Sequence, residues 1–198
     1  MNSTPGRRPR SDATRNREVI LRAALSALHE SPRASMEEIA VTSGVSRGTL
    51  YSHFPSRYVL VRAALHLVVS EANMTLTGLD DPALSPEDAV AALVATSWRV
   101  LSDMAGLWAA AGCELGQWEL RRLHQDTTGR IRKLVMRGRR DGTFRTDQNV
   151  HWQMECIYAI ARAGASLSTP EDPALTDPTD AIVATVRTVL AAEPAASE

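Results

Sequence analysis

Apolar residues recur along this chain at three- and four-residue spacing, and no stretch shows the alternation that a half-buried strand needs. Ile20, Ala23, Ala24, Ala27 and Leu28 share one helical face, which predicts a helix from about Ala13 to Glu30. Leu60, Val61, Ala64, Leu65 and Val68 stripe a longer helix from Arg57 to about Leu76, with no Gly or Pro before Gly78. Val90, Leu93, Val94, Ser97, Trp98, Leu101 and Met104 mark the inner face of another. Leu107 to about Trp118 is Ala-rich and apolar, loosened by Gly106, Gly112 and Gly116. Leu123, Ile131, Leu134 and Val135 predict an amphipathic helix from about Leu120 to Arg140. Two more follow: one from Asp147 to about Leu167, and one opened by Asp177-Pro178 with Ile182, Val186, Val189 and Leu190 on one face. The fold class is all-α.

The turns give this string its organisation. Pro32 breaks the chain after the first helix. In SMEEIAVTSGVSRGTLYSHFPSR, Ser35 and Glu38 have the spacing of a capping box. Gly44 supplies a left-handed residue where a helix stops, and Val45 is placed to point inward from the turn. Ser46 caps the next helix, in which Leu50 and Phe54 face the core together. Pro55 ends it, and Ser56 caps the helix after. Two short helices joined by a tight turn make a helix-turn-helix. Its second helix leaves Arg47, Thr49, Tyr51 and His53 facing outward. Arg can pair bidentately with guanine, Thr can touch a thymine methyl, and Tyr, His and Ser suit phosphate oxygens. An ordinary pair of short core helices has the same periodicity.

Charge distribution sharpens this picture, whereas composition does not. The 198 residues are 44% apolar and 23% charged with a net charge of −1, which is ordinary for a globular protein. The first 60 residues carry nine Arg against five acids, so the excess of acid lies in the remainder. A basic head on an acidic body fits a DNA-binding end joined to a second function. Residues 1–12, rich in Arg, Pro and Gly, read either as a disordered tail or as a basic arm whose Arg7, Arg8 and Arg10 follow the minor groove. Residues 193–198 read as a frayed end.

GVSRGTLYSHFPSR resembles the signature of the tetracycline-repressor (TetR) family of transcriptional regulators, and ILRAALSALHE and SMEEIA resemble that family's first two helices. The close match runs from about Arg15 to Leu65. Arg57 stands where the family usually has Lys; either can neutralise a phosphate. The resemblance implies a DNA-binding domain over 13–56 and a ligand-binding and dimerisation body over 57–192. It implies DNA contacts from Ser35, Met36, Ser46, Arg47, Gly48, Thr49, Tyr51, Ser52, His53 and Arg57. It further implies a homodimer through the last two long helices and an operator that is a pseudo-palindrome of double-stranded DNA. The Arg57–Leu76 helix would join head to body.

The body holds all four tryptophans. Trp98, Trp108, Trp118 and Trp152, with Leu101, Met104, Met136 and Tyr158, are candidate linings for a pocket that takes a small apolar or cationic ligand. Leu65 and Val68 are candidate wall residues toward the head. Plain core or interface packing would use the same side chains. Asp103, Glu114 and Glu155 could neutralise a cation or simply be solvated, and His124 reads as exposed. Cys113 and Cys156 fit no metal spacing, and Ala-rich surroundings argue against Cys113 as a redox sensor. There is no phosphate-cradling Gly loop, zinc motif or nucleophile elbow, so neither an enzyme nor a cofactor is expected. No membrane span or signal-peptide core is expected either, so a cytoplasmic protein is the plain reading, and the resemblance implies a repressor released by its ligand. Two other readings remain: a ligand-independent DNA-binding protein with a filled core, and a helical enzyme with a vestigial head.

Overall fold

The structure is a computed structural model, and it describes residues 9–81, 83–123, 125–167 and 177–192. Most of the expected arm, His124, much of the loop before the last helix, and the C-terminal tail lie outside the described residues. Ten α-helices occur among those residues: α1 (Pro9–Glu30), α2 (Met36–Ser43), α3 (Arg47–His53), α4 (Arg57–Thr75), α5 (Pro86–Asp103), α6 (Ala105–Glu114), α7 (Gln117–Leu123), α8 (Gln125–Arg140), α9 (Val150–Leu167) and α10 (Thr179–Leu190). A 3-10 turn, Leu76–Asp80, follows α4. The all-α expectation holds: the sole β feature among the described residues is an isolated antiparallel bridge between Phe144 and Ala191. The amphipathic stretch expected from Leu120 is two described helices, α7 and α8.

The chain forms two compact units. The first comprises residues up to Leu67 together with Gly106–Leu120. Ile20, Leu28, Ile39, Leu50, Phe54, Leu60, Leu65 and Leu107 are fully or almost fully buried there. The Arg17 guanidinium lies 5.2 Å from the Phe54 ring centroid and covers that core from outside. Gly106 explains why α6 belongs to this unit. A Cβ added there would lie 1.9 Å from the Leu28 carbonyl oxygen, so α6 rests on the backbone of α1. The first unit therefore runs past the expected boundary at residue 57, and the start of α4 packs with the head.

The second unit comprises Val68–Ala105 and the residues from Arg121 onward. Its α5 packs on α8, α9 and α10 around Leu93, Val94, Trp98, Ile131, Val135, Ile157, Val186 and Leu190. Burial of these side chains stabilises the bundle by about 1.5–3 kcal/mol each. Arg139 ties down the chain after α8. Its guanidinium donates to the carbonyls of Arg145, Thr146 and Gln148 and to the Gln153 side chain, which is itself fully buried.

Among the described residues, one helical segment, Arg57–Leu79, is long and apolar enough to span a membrane by length and composition. That differs from the sequence expectation. Leu60, Val61, Leu65, Val68 and Leu76 on it are buried inside the protein, as on the inner face of a core helix, while Met74 is exposed.

Candidate nucleic-acid interface

The helix-turn-helix is built by its caps. The Ser35 side chain accepts from the Glu38 backbone N–H at 3.2 Å, and the Glu38 carboxylate accepts from the Ser35 N–H at 2.6 Å. These two bonds satisfy donors that a helix start leaves free. They also hold the Glu38 carboxyl below the usual range, the Ser35 backbone bond being the larger cause. Gly44 ends α2 with φ 68°, a left-handed conformation that costs glycine nothing, and its N–H donates to the Val41 carbonyl. The Ser46 side chain then accepts from the Thr49 N–H at 3.1 Å and starts α3. Leu50 and Phe54 are buried, so the orientation of α3 is fixed by the core.

This fixes what α3 presents. Arg47, Gly48 and Ser52 are exposed; Thr49, Tyr51 and His53 are half-exposed. The Arg47 guanidinium lies 5.5 Å from the Tyr51 ring centroid, and its Nη2 donates to Glu37 Oε1 of α2 at 2.8 Å. Thr49 Oγ1 lies 2.8 Å from Ser46 Oγ, and the Ser52 hydroxyl donates to the Thr49 carbonyl. A Cβ added at Gly48 would meet only Ser46 Oγ, at 3.9 Å. Packing within the protein therefore does not require glycine at that position. His53 lies in the last turn of α3. Arg, Thr, Tyr and His side chains thus share one short, rigidly mounted helix beside a glycine that allows close approach. That is the chemistry of a major-groove reader.

Two expected DNA contacts are placed differently. Met36 is buried in the head, because an apolar side chain in the first turn of α2 is drawn into the core. Arg57 is committed within the protein. Its Nε donates to the Ala34 carbonyl at 3.2 Å, Nη2 to the Pro32 carbonyl at 2.7 Å, and Nη1 to Glu114 at 3.0 Å. One residue on, the Tyr58 hydroxyl donates to Glu119 at 2.6 Å. That bond, above all, raises the Tyr58 pKa. Glu119 also pairs with Arg62 at 3.6 Å. Sequence reading missed Glu37 and Glu119, and it took Glu114 for a ligand-neutralising or solvated group rather than a partner of Arg57, because no local motif announces carboxylates that act across a turn or from another helix.

The candidate ligand-lining residues divide between the two units. Leu65, Trp108 and Trp118 belong to the first, and Val68, Trp98, Leu101, Met104, Met136, Trp152 and Tyr158 to the second. Trp98, Leu101 and Tyr158 share one apolar cluster. Trp98 is buried and donates from its indole N–H to Thr179 at 2.9 Å. Tyr158, bonded to the Thr128 hydroxyl at 2.9 Å, has its pKa raised chiefly by burial. Leu65 and Val68 are buried, and Met104, Trp108 and Met136 half-buried. Trp118 and Trp152 are 70% and 60% exposed, so their side chains lie outside the interior of the chain.

Residues 20–64 match the family model described as bacterial regulatory proteins, tetR family, a span that holds α2, α3 and their caps. This stretch is a TetR-family DNA-binding domain. Among curated proteins, the chain is 36% identical over 75 residues to the HTH-type transcriptional repressor LfrR of Mycolicibacterium smegmatis. That match covers 38% of this chain and 39% of LfrR, well under half of either. Among solved structures, it is similar to the transcriptional regulator FadR from Bacillus subtilis in complex with stearoyl-CoA. There the TM-score is 0.73 and identity 12%, with 87% of this chain and 98% of that one covered. LfrR from Mycobacterium smegmatis in complex with proflavine gives a TM-score of 0.71 and 21% identity, with coverage of 91% and 98%. At such identities the likeness is one of fold, and it extends beyond the head to most of this chain.

Proposed function

We propose that this chain is a homodimeric, cytoplasmic repressor that binds a pseudo-palindromic operator and leaves it when a small apolar or cationic ligand binds. The observation that carries the DNA reading is the exposed face of α3, with Arg47 and Thr49 near its start and Tyr51 and His53 behind them. In this reading Arg47 and Thr49 meet base edges, while Tyr51, His53, Ser35, Ser46 and Ser52 lie along the backbone and Gly48 lets it approach. Arg57 organises the head, and its charge is shared with Glu114.

Dimerisation is supported by α9, whose outward side carries Trp152, Ala159, Ala163 and Leu167, all exposed in the single chain. A two-fold pairing of such faces places two recognition helices in successive major grooves. The ligand reading is supported by the apolar cluster that contains Trp98, Leu101 and Tyr158. FadR and LfrR were solved with stearoyl-CoA and proflavine respectively. A ligand can act only through its different affinity for the DNA-fitting and non-fitting states; a coupling of about 1–3 kcal/mol changes operator affinity about 5- to 150-fold.

The test is a titration of operator-bound protein with a panel of apolar and cationic compounds, with Trp fluorescence and DNA release followed together. Release that tracks quenching supports induction. Tight DNA binding that no compound changes supports the ligand-independent reading instead, which the close packing around Trp98 also fits.

A further inference from the structure

Glu37 lies in the acidic first turn of α2 but takes no part in its cap. The capping box uses Glu38, and the Glu37 side chain is solvated. It nevertheless reaches across the turn to Arg47 Nη2 at 2.8 Å, with the two side chains 51% and 68% exposed. The Tyr51 ring flanks the same guanidinium. The side chain on α3 best suited to guanine is thus held between a carboxylate of α2 and an aromatic ring of its own helix.

An exposed ion pair of this kind contributes about 0–1 kcal/mol to stability, so the fold does not depend on it. At a DNA surface its effect is larger. Duplex DNA carries about one phosphate per 1.7 Å of axis, and each unpaired cation on the protein adds sequence-independent affinity by releasing counterions. A guanidinium already neutralised by a carboxylate adds little of that. It has five N–H donors and Glu37 takes one, so donors remain for the acceptors on a guanine edge.

We propose that Glu37 is a specificity-determining positioning residue: by holding and neutralising Arg47 it reserves that side chain for a base edge and suppresses its attraction to phosphates. The proposal rests on the DNA-binding reading above. It makes Glu37 a residue that raises selectivity by weakening binding to the wrong DNA rather than by strengthening binding to the right DNA.

The experiment uses the full chain and two duplexes of equal length, one selected by the parent protein and one of random sequence. Affinities are measured over a range of salt for the parent, Glu37→Gln, Arg47→Ala and the double variant. Glu37→Gln keeps the shape and removes the charge. It is expected to bind the random duplex on the order of three- to tenfold more tightly and to steepen its salt slope by about one. Affinity for the selected duplex changes less, so the ratio between the two falls. In the Arg47→Ala background the same substitution has little effect on the ratio. Equal tightening on both duplexes overturns the proposal. So does a fall in the ratio that persists without Arg47, which would mean that Glu37 acts on DNA by itself. A parent that does not distinguish any duplex overturns the DNA reading, and this proposal with it. Glu37→Ala, checked by thermal melting, separates a charge effect from a change in the head's stability.

Discussion

The Arg57 guanidinium donates to the Glu114 carboxylate at 3.0 Å and thereby joins the start of α4 to the end of α6. Both side chains are largely buried, at 22% and 29% exposure, and the same guanidinium holds the carbonyls of Pro32 and Ala34. Arg57→Ala should therefore behave as a structural lesion. Three charge-assisted bonds are lost and Glu114 is left unpaired, so the head should lose about 1.5–3 kcal/mol. A freely available phosphate ligand would reduce the salt slope of DNA binding by about one. With its charge shared by Glu114, Arg57 should reduce it by clearly less. Thermal melting and a salt titration on one protein preparation decide between these roles.

Gly48 gives the opposite pattern. The protein leaves room for a Cβ there, and alanine favours a helix over glycine by about 1 kcal/mol. Gly48→Ala should leave the head as stable as before or slightly more so, while operator affinity falls. A variant with unchanged operator affinity would show that the duplex does not approach α3 at this point.

The capping box predicts an acid dependence. The folded pKa of Glu38 is lowered, chiefly by the Ser35 backbone N–H. Its contribution is fully present above the ordinary carboxylate pKa and is lost as the pH falls through the lowered value. Stability of the head should drop over that acid interval. Glu38→Gln, which keeps a weaker hydrogen bond and has no charge to titrate, should flatten the drop. Thermal melts at a series of acid pH values test this, and identical acid limbs in the two proteins would contradict it.

Dimerisation through α9 is tested by charge. Ala163 is exposed in the single chain, so Ala163→Glu should cost the monomer no more than about 0.5 kcal/mol. In a two-fold interface it sets like charges near one another. Sedimentation should then report a monomer. Operator affinity should fall by about 10²- to 10⁴-fold as the two half-sites are no longer bound together. A variant that stays dimeric would move the interface away from this face of α9.

The helix-turn-helix was legible because its determinants are local. Ser35 and Glu38, Gly44, Ser46 and Pro55 each act within a few residues, and each is found in its expected role. The all-helical character was legible for the same reason, since the stripes of α1, α5 and α10 match their buried faces. What could not be read depends on contacts between distant segments. Met36 is inside because α2 packs on α1. Arg57 is engaged because α6 brings Glu114 to it from 57 positions away. The residues from Gly106 join the head because a glycine lets α6 touch the backbone of α1. Exposure of Trp118 and Trp152 was likewise hidden, because an aromatic residue on an amphipathic stretch gives the same sequence signal whether it fills a core or faces a partner.

The central claim is that α3 reads a two-fold symmetric DNA site with Arg47 at a base edge. It is tested most directly by selecting bound duplexes from a random pool with the parent protein and with Arg47→Ala. The parent should enrich an inverted repeat whose half-sites are centred a whole number of helical turns apart, each turn about 10–10.5 base pairs. The variant should bind the parent's site about 1–3 kcal/mol more weakly and relax the preference at one base pair in each half-site. Enrichment of no repeat by the parent, or a variant profile identical to the parent's, would contradict the account.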